Sequence, residues 1–286
     1  MITLGIDLAS RPEHTAACAI EWTGARARVV DIACDQDDEA LVKRIAGADK
    51  AGLDVPFGWP QAFVEAVARF HAGGDWPEAT LTALRFRETD RVVAARTGRW
   101  PLSVSTDLIG VPAFRAARLF TRLAGTGVAV DRAGGGRLVE VYPAAALRLW
   151  GLASTGYKRR QGRPSLGRLL DALRQRTRGW LEVDAPARRL CGRSDDALDA
   201  LVAALIARAA TLGLCAPPPP EHAARAAVEG WIALPEPDSL RFLAEERVGL
   251  SRNTRLRRGV TNVVGGHVGA PGPNALARSA PASAGA

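Results

Sequence analysis

The order of the apolar segments near the start of the chain most constrains its fold. Residues 2–8, 15–22 and 26–34 have strand character and follow one another through short turns, which predicts a β-meander. Residues 37–47 then place apolar side chains at helical spacing, and residues 50–55 return as a short buried strand. A helix between the third and fourth strands brings the fourth back beside the first, in parallel. The βββαβ order therefore predicts an α/β fold.

The rest of the chain is predicted to be mainly helical. Helical periodicity covers 61–72, 78–96 and 112–124, with glycine and proline between these segments. We expect them to form an insertion, about residues 59–136, over one edge of the sheet. A fifth strand is expected at 137–142, and the remaining expected elements are helices at 144–150, 164–178 and 194–212 and an extended segment at 230–234.

Acidic side chains stand at the ends of several apolar segments. Asp7 and Asp54 close the first and fourth strands, and Asp195, Asp196 and Asp199 lie in the first turns of the last strong helix. A carboxylate loses hydration where its neighbours are buried, so these acids call for a shared explanation. The strand order puts Asp7 beside Asp54, and the helix can present its acids to the same point. We therefore predict one metal cluster.

Each of these acids also has a purely structural explanation. Asp7 can begin an Asx turn, Asp54 can cap a strand end, and Asp195 and Asp196 suit the positive end of a helix dipole. At about 100° per residue, Asp195 and Asp199 lie roughly 40° apart and Asp196 and Asp199 roughly 60° apart, so either pair can share a face. Both pairs therefore stay open, and Asp199, beyond the first turn, gains least from the dipole.

Carboxylates on separate rigid elements suit two Mg²⁺ or Mn²⁺ ions and phosphoryl transfer. Glu140 interrupts the fifth strand and is either a further ligand or metal-water orienter, or a solvent-facing strand residue. The predicted metal ligands are Asp7, Asp54, Asp195, Asp196 and Asp199, and the predicted catalytic residues are Asp7, Asp54, Glu140, Asp196 and Asp199.

The formal charge of +8 is unevenly distributed. Residues 251–286 carry five arginines and no acid, and their Gly, Ala, Pro and Ser content predicts a disordered tail. Residues 157–193 hold eleven basic against three acidic side chains, which suits a nucleic-acid backbone or, equally, a solvated arginine-rich surface. The predicted substrate-binding residues are Lys158, Arg159, Arg160 and Arg163, with Arg87, Ser105 and Thr106 from the insertion.

Composition limits the class of protein. With 286 residues and 47% hydrophobic content, the chain can bury a full core, and we expect one domain over residues 1–250 followed by the tail 251–286. No apolar run approaches the roughly 20 residues that span a bilayer, so a cytoplasmic location and no membrane contact are expected. The four scattered cysteines favour neither zinc nor disulfides.

Several segments, in order, resemble one known family: GIDLAS, AGLDVPFGWP, FRETDR, PLSVSTDLIG, EVYPAAALRLWGL, SDDALDALVAALIARAA and EGWIALP. Over roughly residues 1–235 they look like the DUF 429 family, a predicted nuclease family of RNase H-like fold. The resemblance implies a mixed five-stranded sheet flanked by helices, with the insertion between strands four and five. The acidic helix is also similar to that of RuvC-like resolvases, to whose acids Asp7, Asp196 and Asp199 correspond, while Asp54 stands where those enzymes often have Glu.

The expected function is therefore metal-dependent hydrolysis of nucleic-acid phosphodiester bonds, with DNA or RNA as partner. Two other classes compete with it. A noncatalytic binding or accessory protein could keep the fold and its acids for stability. An ATP-dependent kinase of the actin and sugar-kinase type shares the opening strand and its acid, but it needs glycine-rich phosphate loops that this sequence lacks.

Overall fold

A mixed sheet forms the centre of the fold. In the computed structural model, which describes residues 1–158 and 163–245, the strands are β1 (Ile2–Asp7), β2 (Ala16–Thr23), β3 (Arg26–Ala33), β4 (Lys50–Asp54), β5 (Leu138–Glu140) and β6 (Leu181–Glu182). Within these residues they pair as one six-stranded sheet in the order β5-β4-β1-β2-β3-β6. β1, β2 and β3 form the antiparallel meander, whereas β4 runs parallel to β1, β5 parallel to β4, and β6 parallel to β3.

The meander and the adjacency of β1 and β4 agree with the sequence prediction, but the predicted count of five strands is wrong. The additional strand, β6, pairs through two residues only, Leu181 with Ala27 and Glu182 with Arg28. A two-residue strand has no period that sequence reading could detect. It forms because the helix before it ends beside the free edge of β3, which offers unpaired backbone groups.

The described helices are α1 (Asp38–Ala46), α2 (Gln61–His71), α3 (Leu81–Arg85), α4 (Glu88–Thr97), α5 (Gly110–Gly125), α6 (Pro143–Leu149), α7 (Arg163–Arg176), α8 (Ala185–Cys191), α9 (Asp195–Thr211) and α10 (Ala223–Glu229). Helices α2 to α5 lie between β4 and β5, where an insertion is expected. The predicted helix 78–96 is two helices, because Phe86 and Arg87 have extended backbones. The short helices α8 and α10 were not predicted, since seven residues hold barely two turns of periodicity.

Helix α9 packs unusually close to the sheet. It is buried from Ala197 to Ala209, against β1, β2 and β4. Glycines at paired positions of β1 and β4, Gly5 and Gly52, allow this approach. A Cβ at Gly5 would lie 2.0 Å from the carbonyl oxygen of Ala200, and one at Gly52 would lie 2.7 Å from that of Ala203. Because Gly5 and Gly52 have no side chains, α9 can lie this close to the sheet, and this distance sets the position of Asp199.

The opposite face of the sheet is covered by α1 and α5. Leu41 and Ile45 of α1 and Leu119 and Leu123 of α5 are fully buried there, in one apolar cluster with the side chains of β1 and β4. Both faces of the central strands are thus sealed from water, so polar groups at their ends become accessible only at the sheet edge. Among the described residues, no helix combines the length and apolar character needed to cross a bilayer.

Candidate functional site

Two acids from neighbouring strands and one from α9 meet at the carboxyl ends of β1 and β4. Asp7 and Asp54, the last residues of their strands, are direct partners in the parallel register. Both line a cleft of about 540 Å³, together with Glu140 and Lys158. Asp199 lies in the part of α9 that covers the two strands and is completely buried. Three carboxylates predicted from separate elements are therefore brought together.

Lysine and tyrosine side chains from one loop bind Asp199. The Tyr157 hydroxyl donates to Oδ1 of Asp199 at 2.8 Å, and the Lys158 ammonium lies 2.6 Å from Oδ2. The side chain of Lys158 is 51% exposed, whereas that of Asp199 is fully buried. The ammonium group is thus the cation that the carboxylates surround, and it reaches them from the solvent side of the cleft.

The acids perturb one another strongly. Burial at the floor of the cleft, followed by the charges of Asp54 and Asp199, raises the pKa of Asp7 well above its ordinary value. Burial also raises the pKa of Asp54 to about 7, against the attraction of Lys158 and with the repulsion of Asp199. Burial opposes the charge of Lys158, but Asp199, Asp54 and Asp7 together raise its pKa. The positive charge of Lys158 therefore compensates the repulsion among Asp7, Asp54 and Asp199 only in part.

Asp195 and Asp196, which the sequence left in competition for one place in the site, are neighbours in the first turn of α9. Burial and the charge of Asp195 raise the pKa of Asp196 to about 6, and Asp199 contributes further. Asp196 also adds to the repulsion felt by Asp7. The hydroxyl of Ser194 caps α9 by accepting from the amide of Ala197 at 3.2 Å, so both acids occupy the first turn. The charge of Asp196 thus reaches the acids at the strand ends.

Glu140 and Arg87 belong to a buried ion-pair network beside the cleft. The guanidinium of Arg87 donates to both oxygens of Glu140, at 2.7 and 2.9 Å, and it also binds the carboxylate of Asp90. The amide of Phe57 donates to Glu140 at 2.9 Å. Arg87 is only 2% exposed. The donors of Arg87 are thus engaged by protein carboxylates. The predicted substrate contact of Arg87 and the predicted ligand role of Glu140 both stay predictions.

The other predicted substrate-binding residues are dispersed. Ser105 and Thr106 line a separate apolar groove, formed with α2 and α5, instead of the acidic cleft. Arg163 is exposed at the first residue of α7. Arg159 and Arg160 lie outside the described residues, as does the predicted tail 251–286. Of Lys158, Arg163, Ser105 and Thr106, the members of this set that are described, Lys158 is the one that contacts Asp199.

Sequence reasoning missed three residues of the site and its support. Tyr157 is not among the predicted site residues, although it is fully buried and binds Asp199. Tyr142 lines the cleft, and burial and the charge of Asp54 raise its pKa. Glu229 accepts from the amides of Gln61 and Glu88 and so joins the starts of α2 and α4. Because Glu229 is distant in sequence from the helix N-termini that it binds, no local spacing pattern predicts these contacts.

The donor set has the chemistry of a hard divalent cation site. Mg²⁺ and Mn²⁺ prefer carboxylate oxygens, and Asp7, Asp54 and Asp199 supply them from three separate elements. Among residues 1–158 and 163–245, no group of three or more Asp, Glu, His or Cys side chains is arranged to hold a metal ion. In this arrangement the ammonium of the half-exposed Lys158 contacts Asp199.

The fold and the cleft together define an α/β protein with an acidic cleft at the ends of its central strands. A family model described as "Protein of unknown function (DUF429)" matches residues 5–224, which is most of the chain. The chain belongs to the DUF429 family, as its motifs suggested. No curated protein and no solved structure matches it.

Proposed function

We propose that this protein is a divalent-metal-dependent hydrolase of RNase H-like type that cleaves phosphodiester bonds of nucleic acid. The observation that carries the proposal is the convergence of Asp7, Asp54 and Asp199 from β1, β4 and α9. The strand order, with β4 inserted beside β1 and a helix closing the sheet over both, supports the RNase H-like assignment.

In the proposed reaction the aspartates bind the divalent cations and Lys158 binds the phosphate of the substrate. Two Mg²⁺ or Mn²⁺ ions, when bound, supply the charge stabilisation that an attacking water and a departing oxygen require. Asp7, Asp54 and Asp199 would hold them, with Asp196 at the rim. Lys158 lines the same cleft and, once released from Asp199, would present its ammonium to an entering phosphate oxygen.

A polyanionic substrate is supported by the charge on α7. Its apolar face, including Leu166 and Leu173, packs in the same core as Tyr157. Its exposed arginines are Arg163, Arg168, Arg174 and Arg176, and the exposed Arg178 follows two residues after its end. Cations in such number along one helix favour binding to a phosphate backbone, with an affinity that falls as salt rises.

Cleavage of labelled DNA and RNA with Mn²⁺ tests the proposal. Wild type should cleave, and Asp7→Asn and Asp199→Asn should each lose activity by orders of magnitude. Asp171→Asn is the matched control, because it makes the same change of charge at an exposed residue of α7. Cleavage that survives Asp7→Asn, or that Asp171→Asn abolishes equally, would contradict the proposal.

A noncatalytic role has one specific observation in its favour. The Lys158 ammonium already lies 2.6 Å from Asp199, so the acids have a cation without any metal. Calorimetric titration with Mn²⁺ separates the two functions. Heat of binding that disappears in Asp7→Asn supports the hydrolase, whereas identical titrations of wild type and variant would leave a lysine-neutralised binding protein.

A further inference from the structure

An apolar groove runs beside the acidic cleft. It measures about 1040 Å³ and is bounded by α2, by the loop between α4 and α5, and by the start of α5. Within it, Trp59 and Phe114 stack with ring centroids 5.5 Å apart and planes inclined by 28°. Phe114 is 61% exposed and Leu108 is 88% exposed. Large apolar side chains with this exposure indicate a binding surface.

The groove and the cleft share a wall. Leu102 lines both of them. Pro101, Ile109 and Pro112 face the cleft, while Leu108 and Val111, from the same stretch of chain, face the groove. An extended ligand in the groove that passes this wall therefore enters the cleft that Asp7 and Asp54 line.

Positive charge follows the aromatic pair along α5. Arg118 lies four residues after Phe114, and Arg122 four residues after Arg118, so the three share one exposed face of the helix. The acid that lines the groove, Asp107, accepts from the amide of Ser103 at 2.7 Å. The surface thus offers flat rings for stacking, followed by cations at the spacing of one helical turn.

We propose that this groove binds the unpaired bases of single-stranded nucleic acid and leads the strand into the acidic cleft. The inference rests on the proposed function and names its substrate class. Unpaired bases present flat apolar faces that stack on aromatic rings regardless of sequence, while the phosphates between them meet arginine. A duplex buries those faces in its own stack, so it gains nothing from Trp59 and Phe114.

Binding without cleavage tests the groove. A fluorescein-labelled oligothymidylate of about a dozen nucleotides is titrated with the full-length protein in EDTA, and fluorescence anisotropy reports the affinity. We expect tighter binding of the oligothymidylate than of a hairpin duplex of equal charge. Phe114→Ala should weaken binding of the single strand by about 5- to 150-fold, the range of one lost base stack. Arg118→Ala should reduce the salt dependence by about one phosphate contact.

Phe70→Ala is the matched control. Phe70 is 62% exposed on α2 and packs edge-on against Trp76, and it does not line the groove. It should leave the affinity unchanged. Equal affinity for strand and duplex, or equal losses in Phe70→Ala and Phe114→Ala, would overturn the proposal. So would a dimer in light scattering that Phe114→Ala dissociates, since a second copy would then occupy the groove.

The groove and the hydrolase can fail separately. A protein that binds the strand through Phe114 but cleaves nothing with Mn²⁺ keeps the groove and refutes the hydrolase. If the wild type cleaves nucleic acid but Phe114→Ala binds the single strand as tightly as the wild type does, the hydrolase proposal stands and the groove proposal is refuted.

Discussion

Replacing Gly5 with alanine should separate the acids by lifting α9 from the sheet. The new Cβ would lie 2.0 Å from the carbonyl oxygen of Ala200 and 2.2 Å from the amide nitrogen of Ala204. Both are backbone atoms of α9, so no side-chain rotation relieves the clash. Ordinary contact begins near 3.4 Å, so the helix must move by about 1.4 Å. Asp199, the residue before Ala200, moves with it.

Two measurable losses follow from this displacement. Overpacking against backbone should cost about 3–5 kcal/mol of unfolding free energy, at the upper end for a small-to-large core change, which lowers the melting temperature on the order of 10 °C. Mn²⁺ affinity should fall by about 10- to 100-fold, because Asp199 no longer lies at its height above Asp7. Differential scanning calorimetry and titration calorimetry measure the two effects on the same samples.

Gly47→Ala is the control for Gly5→Ala. Gly47 ends α1 with right-handed helical angles, and its Cβ would meet the carbonyl oxygens of Lys43 and Arg44 at 3.7 Å, an ordinary contact. It should be neutral or stabilising by up to about 1 kcal/mol. A Gly5→Ala protein that melts and binds Mn²⁺ as Gly47→Ala does would refute the close-packing argument.

Three further predictions concern charge. Lys158→Met should raise Mn²⁺ affinity about tenfold, by removing the competing cation, and should cost about 1–2 kcal/mol of metal-free stability, because buried Asp199 loses a partly exposed partner. Glu140→Gln should cost about 3–5 kcal/mol in chemical denaturation, because Arg87 keeps its buried charge with less compensation. In EDTA, unfolding free energy should fall between pH 4 and 7: the pKa of Asp54 is raised from 3.8 to about 7, so the folded protein keeps a proton that the unfolded chain releases. Asp54→Asn should reduce that slope in pH-dependent denaturation, and the raised pKa values of Asp7 and Asp196 account for the remainder.

Each charge prediction has an outcome that contradicts it. Mn²⁺ affinity unchanged in Lys158→Met would show that the lysine does not compete for the acids. For Glu140→Gln the control is Glu21→Gln, which weakens an exposed pair with Arg28 and should cost under about 1 kcal/mol; equal costs would contradict the buried network. A pH slope that Asp54→Asn leaves intact would assign the titration to another group.

Local pattern was enough to predict the central strands and the main helices. The alternation of apolar segments and turns gave the meander, and the helix before β4 required β4 to return beside β1, so the pairing of Asp7 with Asp54 could be expected from order alone. The length and apolar content of α9 likewise identified it from sequence. Short elements such as β6 escaped prediction, because tertiary contact creates them.

The amino-acid sequence by itself determined which acids close the central strands and which helix can cover them. Only the tertiary structure decided their partners: that Lys158 and Tyr157 bind Asp199, that the charge of Asp196 acts on Asp7, and that Arg87 is engaged inside the protein. The physical reason is the distance along the sequence between the residues that interact. Strand order follows from local periodicity, whereas the neighbours of a buried charge come from distant segments whose approach is set by packing, here by the absence of a side chain at Gly5.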